Sequence, residues 1–166
     1  SIVYSVDDNF STTFMTLLNR LPIFFFFYKG QTKFTPIHCS DMTDIILNTI
    51  NKNINSKIVE CVGPEIISFK EILLTLLSLI GKKKFFLPIP LFAAKISARI
   101  FELMPNPLLT IDQLKLLKYD NVISKNYTTN SNIGVPAKKF FKDEVEKYSY
   151  MWREGGQFSK QNSFDD

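Results

Sequence analysis

The first half of the chain alternates short apolar runs with polar stretches. SIVYS, residues 1–5, is rich in β-branched and aromatic residues and predicts a buried strand. KIVECVG, residues 57–63, predicts a second strand for the same reason. Between them, a helix is predicted to begin at a cap formed by Asn9 or Ser11 and to end near Arg20.

The stretch from residue 21 to residue 38 is predicted to be extended. Two prolines and a glycine interrupt it too often for one helix, so strands or covered loops are expected. Apolar residues then recur at helical spacing over 42–50, and either Ser40 or Asp41 is placed to cap the first turn. The pattern therefore predicts a helix over about 41–51.

The most consistent local signals belong to SFKEILLTLLSLIG, residues 68–81. Ser68 and Glu71 have the spacing of a capping box, the interior is leucine and isoleucine, and Gly81 is placed to end the helix. The few polar positions form one narrow stripe. This predicts a helix that the rest of the protein covers on most sides.

The second half of the chain is predicted to be mainly helical. Pro136 is expected to open a charged helix, because proline suits the first helical position. The other predicted elements are an extended piece at 85–90, helices at about 91–104 and 110–118, a loop at 119–136 and a disordered tail at 156–166. The order of elements indicates an α/β first half and a helical second half.

Composition and charge exclude several classes of function. The net charge of +4 over 166 residues is too mild to indicate nucleic-acid binding. Cys39 and Cys61 have neither disulfide-framework nor zinc spacing, so both are expected in the core of a protein kept in a reducing compartment. No apolar run approaches the roughly 20 residues needed to span a bilayer. Aromatic and basic stretches at 23–30 and 82–86, with the amphipathic helix at 91–104, leave open a membrane-surface module.

The stretch FTPIHCSDMTDII, residues 34–46, holds the single histidine and one of the two cysteines. His38 and Cys39 would point to opposite faces of an extended segment, which is poor geometry for a shared metal ion. No nucleophile elbow accompanies Ser40. We interpret the stretch as a junction between a strand and a helix start, where Asp41 is favoured by the exposed amides, and we expect no metal site.

Several blocks, in order and at their spacing, resemble the C-terminal half of an extended short-chain dehydrogenase/reductase. The blocks are SIVYSVDDNF, FTPIHCSDMTDII, KIVECVGPEIISFKEILLTLL and FFLPIPLF. Within that superfamily, the closest resemblance is to the dehydrogenase-like accessory subunit of respiratory complex I. FFLPIPLFAAKISARIFELMPNPLLTIDQLKLL and GVPAKKFF are similar to the C-terminal region of that subunit. The resemblance covers roughly residues 1–153.

This resemblance implies an α/β fold: the last strands of a Rossmann-like parallel sheet and a small, mainly helical C-terminal lobe. SIVYS would be a late strand of that sheet and KIVECV its last strand. Residues 1–155 would be the C-terminal part of one NAD(P)-binding domain. The N-terminal half of that domain would be missing, together with the glycine-rich turn that holds the pyrophosphate of the cofactor. The sequence also begins without Met, so we expect it to be a fragment.

The resemblance further implies which residues line a site. Ser1, Ile2 and Val3 would form the wall at the nicotinamide end of the cofactor. The wall of the cleft would comprise Tyr4, Asp7, Phe10, Pro36, His38 and Asp41. No catalytic residue carries over, because none of the six tyrosines is followed four positions later by the lysine of a Tyr-x-x-x-Lys pair.

The expected function is that of a fragment of an NAD(P)(H)-binding accessory or assembly subunit of complex I. Its expected partners are the missing N-terminal half and the subunits of complex I. Its expected location is the cytoplasm or the matrix side of an organelle, peripheral to the respiratory membrane. NADP(H) or NAD(H) would bind to the full-length parent and not to the isolated chain. The alternatives are an active nucleotide-sugar epimerase, dehydratase or reductase, and the membrane-surface module.

Overall fold

The computed structural model of the chain describes residues 1–26, 30–55, 57–88 and 117–158. The helices in these ranges are α1 (Ser11–Arg20), α2 (Cys39–Asn51), α3 (Phe69–Leu79) and α4 (Phe141–Ser149). The strands are β1 (Val3–Tyr4), β2 (Ile23–Phe26), β3 (Lys33–Phe34), β4 (Ile37–His38), β5 (Val59–Glu60), β6 (Ile67–Ser68), β7 (Phe85–Pro88) and β8 (Thr128–Thr129). The helix predicted at 91–104 and most of the one at 110–118 lie outside the described residues.

The strands pair two by two, and three of the four pairs are parallel. β1 pairs with β4, β2 with β7 and β5 with β8 in parallel, whereas β3 and β6 are antiparallel. The α/β class is therefore confirmed, with small parallel sheets. The predicted strands SIVYS and KIVECV are both found, but in the described ranges they belong to separate pairs and not to one continuous sheet.

Helix α3 forms the centre of the hydrophobic core, as its sequence predicts. Six of its side chains are buried, and they pack with residues of α1 and α4 in one apolar cluster. The capping box is present: the Ser68 hydroxyl accepts from the amide of Glu71, and the Glu71 carboxylate accepts from the amide of Ser68 at 2.7 Å. These two bonds satisfy donors that the first turn of a helix otherwise leaves free.

Replacing Ser68 with alanine is expected to lower the free energy of unfolding by about 1 kcal/mol, because the amide of Glu71 loses its acceptor. Ser78→Ala is the matched control, since Ser78 is exposed on the same helix and outside the cap. Urea unfolding of both variants measures the difference. Equal stabilities of the two variants would mean that the capping box does not contribute.

The C-terminal end of α3 is also closed by local hydrogen bonds. The amide of Lys82 donates to Leu77 and the amide of Gly81 to Ser78, and Gly81 has a φ of +69°. This is the paired pattern of a Schellman motif, in which glycine takes the left-handed position. The Arg153 guanidinium adds two hydrogen bonds to the Leu79 carbonyl, at 3.1 and 2.9 Å. The predicted C-terminal cap at Gly81 is confirmed.

The predicted N-terminal caps of α1 and α2 are wrong. At α1 neither Asn9 nor Ser11 is the capping side chain; the Asp8 carboxylate accepts from the amides of Phe10 and Ser11. Helix α2 begins at Cys39, two residues before the predicted start, because the Nδ1 atom of His38 accepts from the amide of Ser40. In both cases the capping side chain comes earlier in the chain than expected.

The second half of the chain departs further from its prediction. The predicted loop at 119–136 contains β8, which is held to β5 by the buried side chain of Asn130. That amide group bonds both the N–H and the carbonyl of Val62, at 3.1 and 3.2 Å. Helix α4 begins at Phe141 and not at Pro136. After it come two 3-10 turns, Tyr150–Trp152 and Gly156–Phe158. The rest of the predicted tail, 159–166, lies outside the described residues.

Candidate functional site

Four of the residues predicted to line the cleft lie close together where β1, β4 and α2 meet, namely Tyr4, Pro36, His38 and Asp41. Tyr4 is fully buried, and its ring contacts the ring of His38 edge-on at 5.3 Å and the ring of Phe141 at 5.0 Å. Its hydroxyl donates to the Lys139 carbonyl at 3.1 Å. Burial and nearby carboxylates raise the pKa of Tyr4 far above its ordinary value. Tyr4 is therefore a neutral hydrogen-bond donor and not a proton-transfer group.

Asp41 anchors a distant segment of the chain. Only 7% of its surface is exposed, and its Oδ2 atom accepts from the amides of both Lys138 and Lys139 at 3.0 Å. Asp41 does lie in the first turn of α2, as the sequence indicated, but its Oδ2 atom bonds to the segment before α4. Glu65 acts similarly, because it accepts from the amide of Phe141 at 2.8 Å. These bonds explain why the helix predicted from Pro136 begins only at Phe141.

His38 caps α2 as a neutral ring. Its Nδ1 atom lies 2.9 Å from the Ser40 hydroxyl and 3.3 Å from the Ser40 amide, which donates to it. Burial lowers the pKa of His38 below its ordinary value. A ring nitrogen that accepts from an amide must be unprotonated, so the cap and the lowered pKa agree.

We expect the free energy of unfolding to fall as the pH drops below about 6.5. In that range the histidine of the unfolded chain binds a proton, whereas folded His38, with its lowered pKa, does not. Stability should be level above that pH. His38 is the single histidine of the sequence. His38→Asn keeps a capping acceptor without a titrating ring, so its melting temperature should stay level between about pH 7 and 5.5. A parallel fall in the variant would assign the effect to other groups.

Pro36 and Gly63 join the site to the end of β5. Pro36 is buried, and the Gly63 amide donates to the Thr35 carbonyl at 3.2 Å. A Cβ atom added to Gly63 would lie 1.6 Å from the Pro36 carbonyl oxygen. Only glycine allows the backbones to approach this closely. The sequence prediction treated Gly63 merely as the end of a strand.

Of the other predicted wall residues, Ser1, Ile2 and Val3 adjoin this cluster, whereas Asp7 and Phe10 lie outside it. Ser1, Ile2 and Val3 run beside β4: the Ser1 hydroxyl accepts from the Thr35 amide at 2.9 Å, and the Ile2 carbonyl accepts from the Ile37 amide at 2.9 Å. Val3 is 44% exposed. Asp7 is exposed, and Phe10 is half-buried with its ring against Phe14. The structure thus groups Tyr4, Pro36, His38 and Asp41, and leaves Asp7 and Phe10 outside that group.

Every α-helix in the described part of the chain has at least one N-terminal amide bound by a side chain of the chain itself. Asp8 does so at α1, His38 at α2, Ser68 at α3 and Glu65 at α4. A dinucleotide pyrophosphate needs a helix N-terminus with free amides. At three of these four ends a carboxylate, that of Asp8, Glu71 or Glu65, accepts from a backbone amide and would repel an anion. The described residues therefore do not fit the phosphate-binding part of an NAD(P) site.

Metal binding and thiol chemistry are also poorly matched by the described residues. No group of three or more His, Cys, Asp or Glu side chains in the described ranges is arranged to hold a metal ion. Cys39 is exposed and Cys61 half-buried, so the predicted core position is wrong for Cys39. Burial raises the pKa of the Cys61 thiol, which disfavours the reactive thiolate. Among these residues, none of the helices is long and apolar enough to cross a membrane.

Sequence reasoning missed Asp8, Glu65 and Asn130, which hold the backbone in place. Asp8 stands three residues before Ser11, a spacing typical of a helix start, so its role had a local signal. Glu65 and Asn130 bond to residues 76 and 68 positions away, and no local pattern indicates such partners.

Solved structures of several enzymes are similar in fold to this chain. The chain is similar to a dTDP-4-dehydrorhamnose reductase from Clostridium acetobutylicum, with 17% identity and a TM-score of 0.51. It is similar to GDP-mannoheptose C4 reductase from Campylobacter jejuni with NADP bound, with 16% identity and a TM-score of 0.55. It is also similar to UDP-N-acetylglucosamine 4-epimerase from Bacillus cereus, with 12% identity and a TM-score of 0.50.

The similarity extends over most of this chain but only part of each of the others. It covers 89%, 91% and 93% of this chain, and 45%, 46% and 45% of the three enzymes. The chain therefore spans about half the length of these structures and shares part of their Rossmann-like α/β fold. No protein-family model and no curated protein sequence matches it.

Proposed function

We propose that this chain is the substrate-side half of an NAD(P)(H)-binding protein with a short-chain dehydrogenase-like fold. The observation that carries the proposal is the partial match: nearly all of this chain aligns with less than half of each compared enzyme. The bound helix N-termini support it, since the phosphates of the cofactor must then be held by the other half. Ser1, Ile2 and Val3 would line the nicotinamide end of the cofactor.

For the parent protein, we propose the role of an accessory or assembly subunit of respiratory complex I. This role is supported by the similarity of FFLPIPLFAAKISARIFELMPNPLLTIDQLKLL and GVPAKKFF to the C-terminal region of that subunit. In this proposal the parent retains NADP(H) or NAD(H) without turnover. It lies peripheral to the respiratory membrane, on the cytoplasmic or matrix side, with complex I subunits as partners.

A second candidate is an active reductase, epimerase or dehydratase that acts on a nucleotide sugar. It is favoured by the compared structures, which are two sugar-nucleotide reductases and one epimerase. The two candidates differ in residues outside this chain. A Tyr-x-x-x-Lys pair in the other half would supply proton transfer, because the lysine lowers the pKa of the tyrosine.

A tagged longer polypeptide, which extends this chain at its N-terminus, distinguishes the two candidates. As an accessory subunit it should co-migrate with NADH:ubiquinone oxidoreductase activity on native gels. It should also leave NADPH unoxidised when dTDP-4-dehydrorhamnose is added. Oxidation of NADPH by this compound, or conversion of UDP-N-acetylglucosamine, with no co-migration would support the enzyme and contradict the accessory role.

A further inference from the structure

Helix α2 is apolar on two opposite sides. Asp41 and Ile45 are buried on the side that packs against β1 and β4. On the opposite side, Ile46 is 51% exposed, Leu47 53% and Ile50 64%. These three positions share one stripe at helical spacing, and we call them the outer face of α2. An apolar stripe on a helix normally packs against another part of the protein.

The strand that follows α2 is also incompletely covered. Ile58, immediately before β5, is 61% exposed. β5 pairs in parallel with β8 along one edge, and no strand in the described ranges pairs with its other edge. Parallel strands occur almost only in sheets whose two faces are both covered. Helix α2 therefore has an exposed apolar stripe, and strand β5, the next element in the chain, has an edge that no described strand pairs with.

We propose that the outer face of α2 packs against the half of the fold that the compared enzymes contain and this chain does not. This inference rests on the proposed function. The alignments leave more than half of each compared enzyme without a counterpart here. That remaining half is large enough to cover the outer face of α2 and to supply a strand to β5.

The charges of α2 argue against a lipid surface as the occupant. Residues Cys39–Asn51 include two aspartates and no lysine or arginine. Helices that lie on anionic membranes carry basic residues beside the apolar face. Asp44 is exposed on α2 and would be repelled by such a surface. A protein layer that brings its own apolar side chains fits the outer face better.

Cysteine labelling tests the inference directly. Ile46→Cys and Ile50→Cys are introduced into the 166-residue chain and into the longer polypeptide. Lys142→Cys, on the exposed side of α4, is the matched control. Maleimide labelling rates are read at each site by peptide mass spectrometry, so native Cys39 and Cys61 do not interfere. We expect both α2 sites to label at least roughly tenfold more slowly in the longer polypeptide, and the control to be unchanged.

The outcomes separate this inference from the proposed function. Protection of the α2 sites supports the inference even if the longer polypeptide binds no NADPH, which would contradict the function alone. Equal rates in both lengths overturn the inference, even if NADPH binds. The α2 sites could instead become protected in the 166-residue chain alone as its concentration rises. That result would identify a second copy of the chain as the occupant and would also overturn the inference.

Discussion

Gly63→Ala is expected to unfold the chain or to lower its free energy of unfolding by about 3 kcal/mol or more. The added Cβ atom would lie 1.6 Å from the Pro36 carbonyl oxygen. No side-chain rotation relieves this contact, because both groups belong to the backbone. The two segments would have to separate, and the hydrogen bond from Gly63 to Thr35 would be lost. Soluble yield and urea unfolding measure the effect.

Gly156→Ala is the control for this substitution. At Gly156 the φ is +57°, and an added Cβ meets no atom within 4 Å. The cost there is backbone strain alone, about 1 to 2 kcal/mol. A Gly63→Ala variant that is no less stable than Gly156→Ala would show that the end of β5 is not pressed against Pro36. The assignment of Gly63 as a close-approach position would then be wrong.

Asp41→Ala is expected to lower the free energy of unfolding by about 2 to 4 kcal/mol. The substitution leaves two partly buried amides, those of Lys138 and Lys139, without their acceptor. Asp41→Asn should cost less, because it retains an oxygen that can accept. Hydrogen exchange at the two amides should speed up in the alanine variant, since the segment before α4 loses its anchor.

Asp44→Ala separates this effect from the general loss of a helix carboxylate. Asp44 is exposed on the same helix, so its removal should change the free energy of unfolding by no more than about 0.5 kcal/mol. If Asp41→Ala and Asp44→Ala were equally stable, Asp41 would be only a favourable charge on α2, as the sequence alone had indicated.

The elements predicted well from the sequence are those whose signals are local. Helix α3 has its N-cap, its capping glutamate and its terminal glycine within its own 14 residues, and all three act as predicted. Strand β1 and helix α1 were also found where apolar patterns indicated them. In each case the competing conformations are excluded by neighbouring residues in the sequence.

The elements predicted poorly depend on distant partners. The segment before α4 has a proline that suits a helix start, yet Asp41 and Glu65, 97 and 76 positions away, hold its amides in an extended form. β8 has no strand pattern; it pairs with β5, and the side chain of Asn130 bonds to Val62 beside that pair. Tertiary hydrogen bonds override local preference at both places.

The resemblance to the short-chain dehydrogenases suggested Tyr4, His38 and Asp41 as wall residues of a cleft. The structure places the three close together, and their part in a cleft stays a prediction. Their roles are a buried donor, a helix cap and a backbone anchor, which spacing alone does not distinguish. All three hold the junction together, so mutations there should act first on stability.

Calorimetric titration of NADPH into the 166-residue chain and into the longer polypeptide tests the central claim most directly. The helix N-termini described here are bound by the chain's own side chains, so the 166-residue chain should show no measurable binding. The longer polypeptide should bind NADPH with micromolar or tighter affinity. Micromolar binding by the 166-residue chain alone would contradict the account, because the chain would then contain a complete dinucleotide site of another kind.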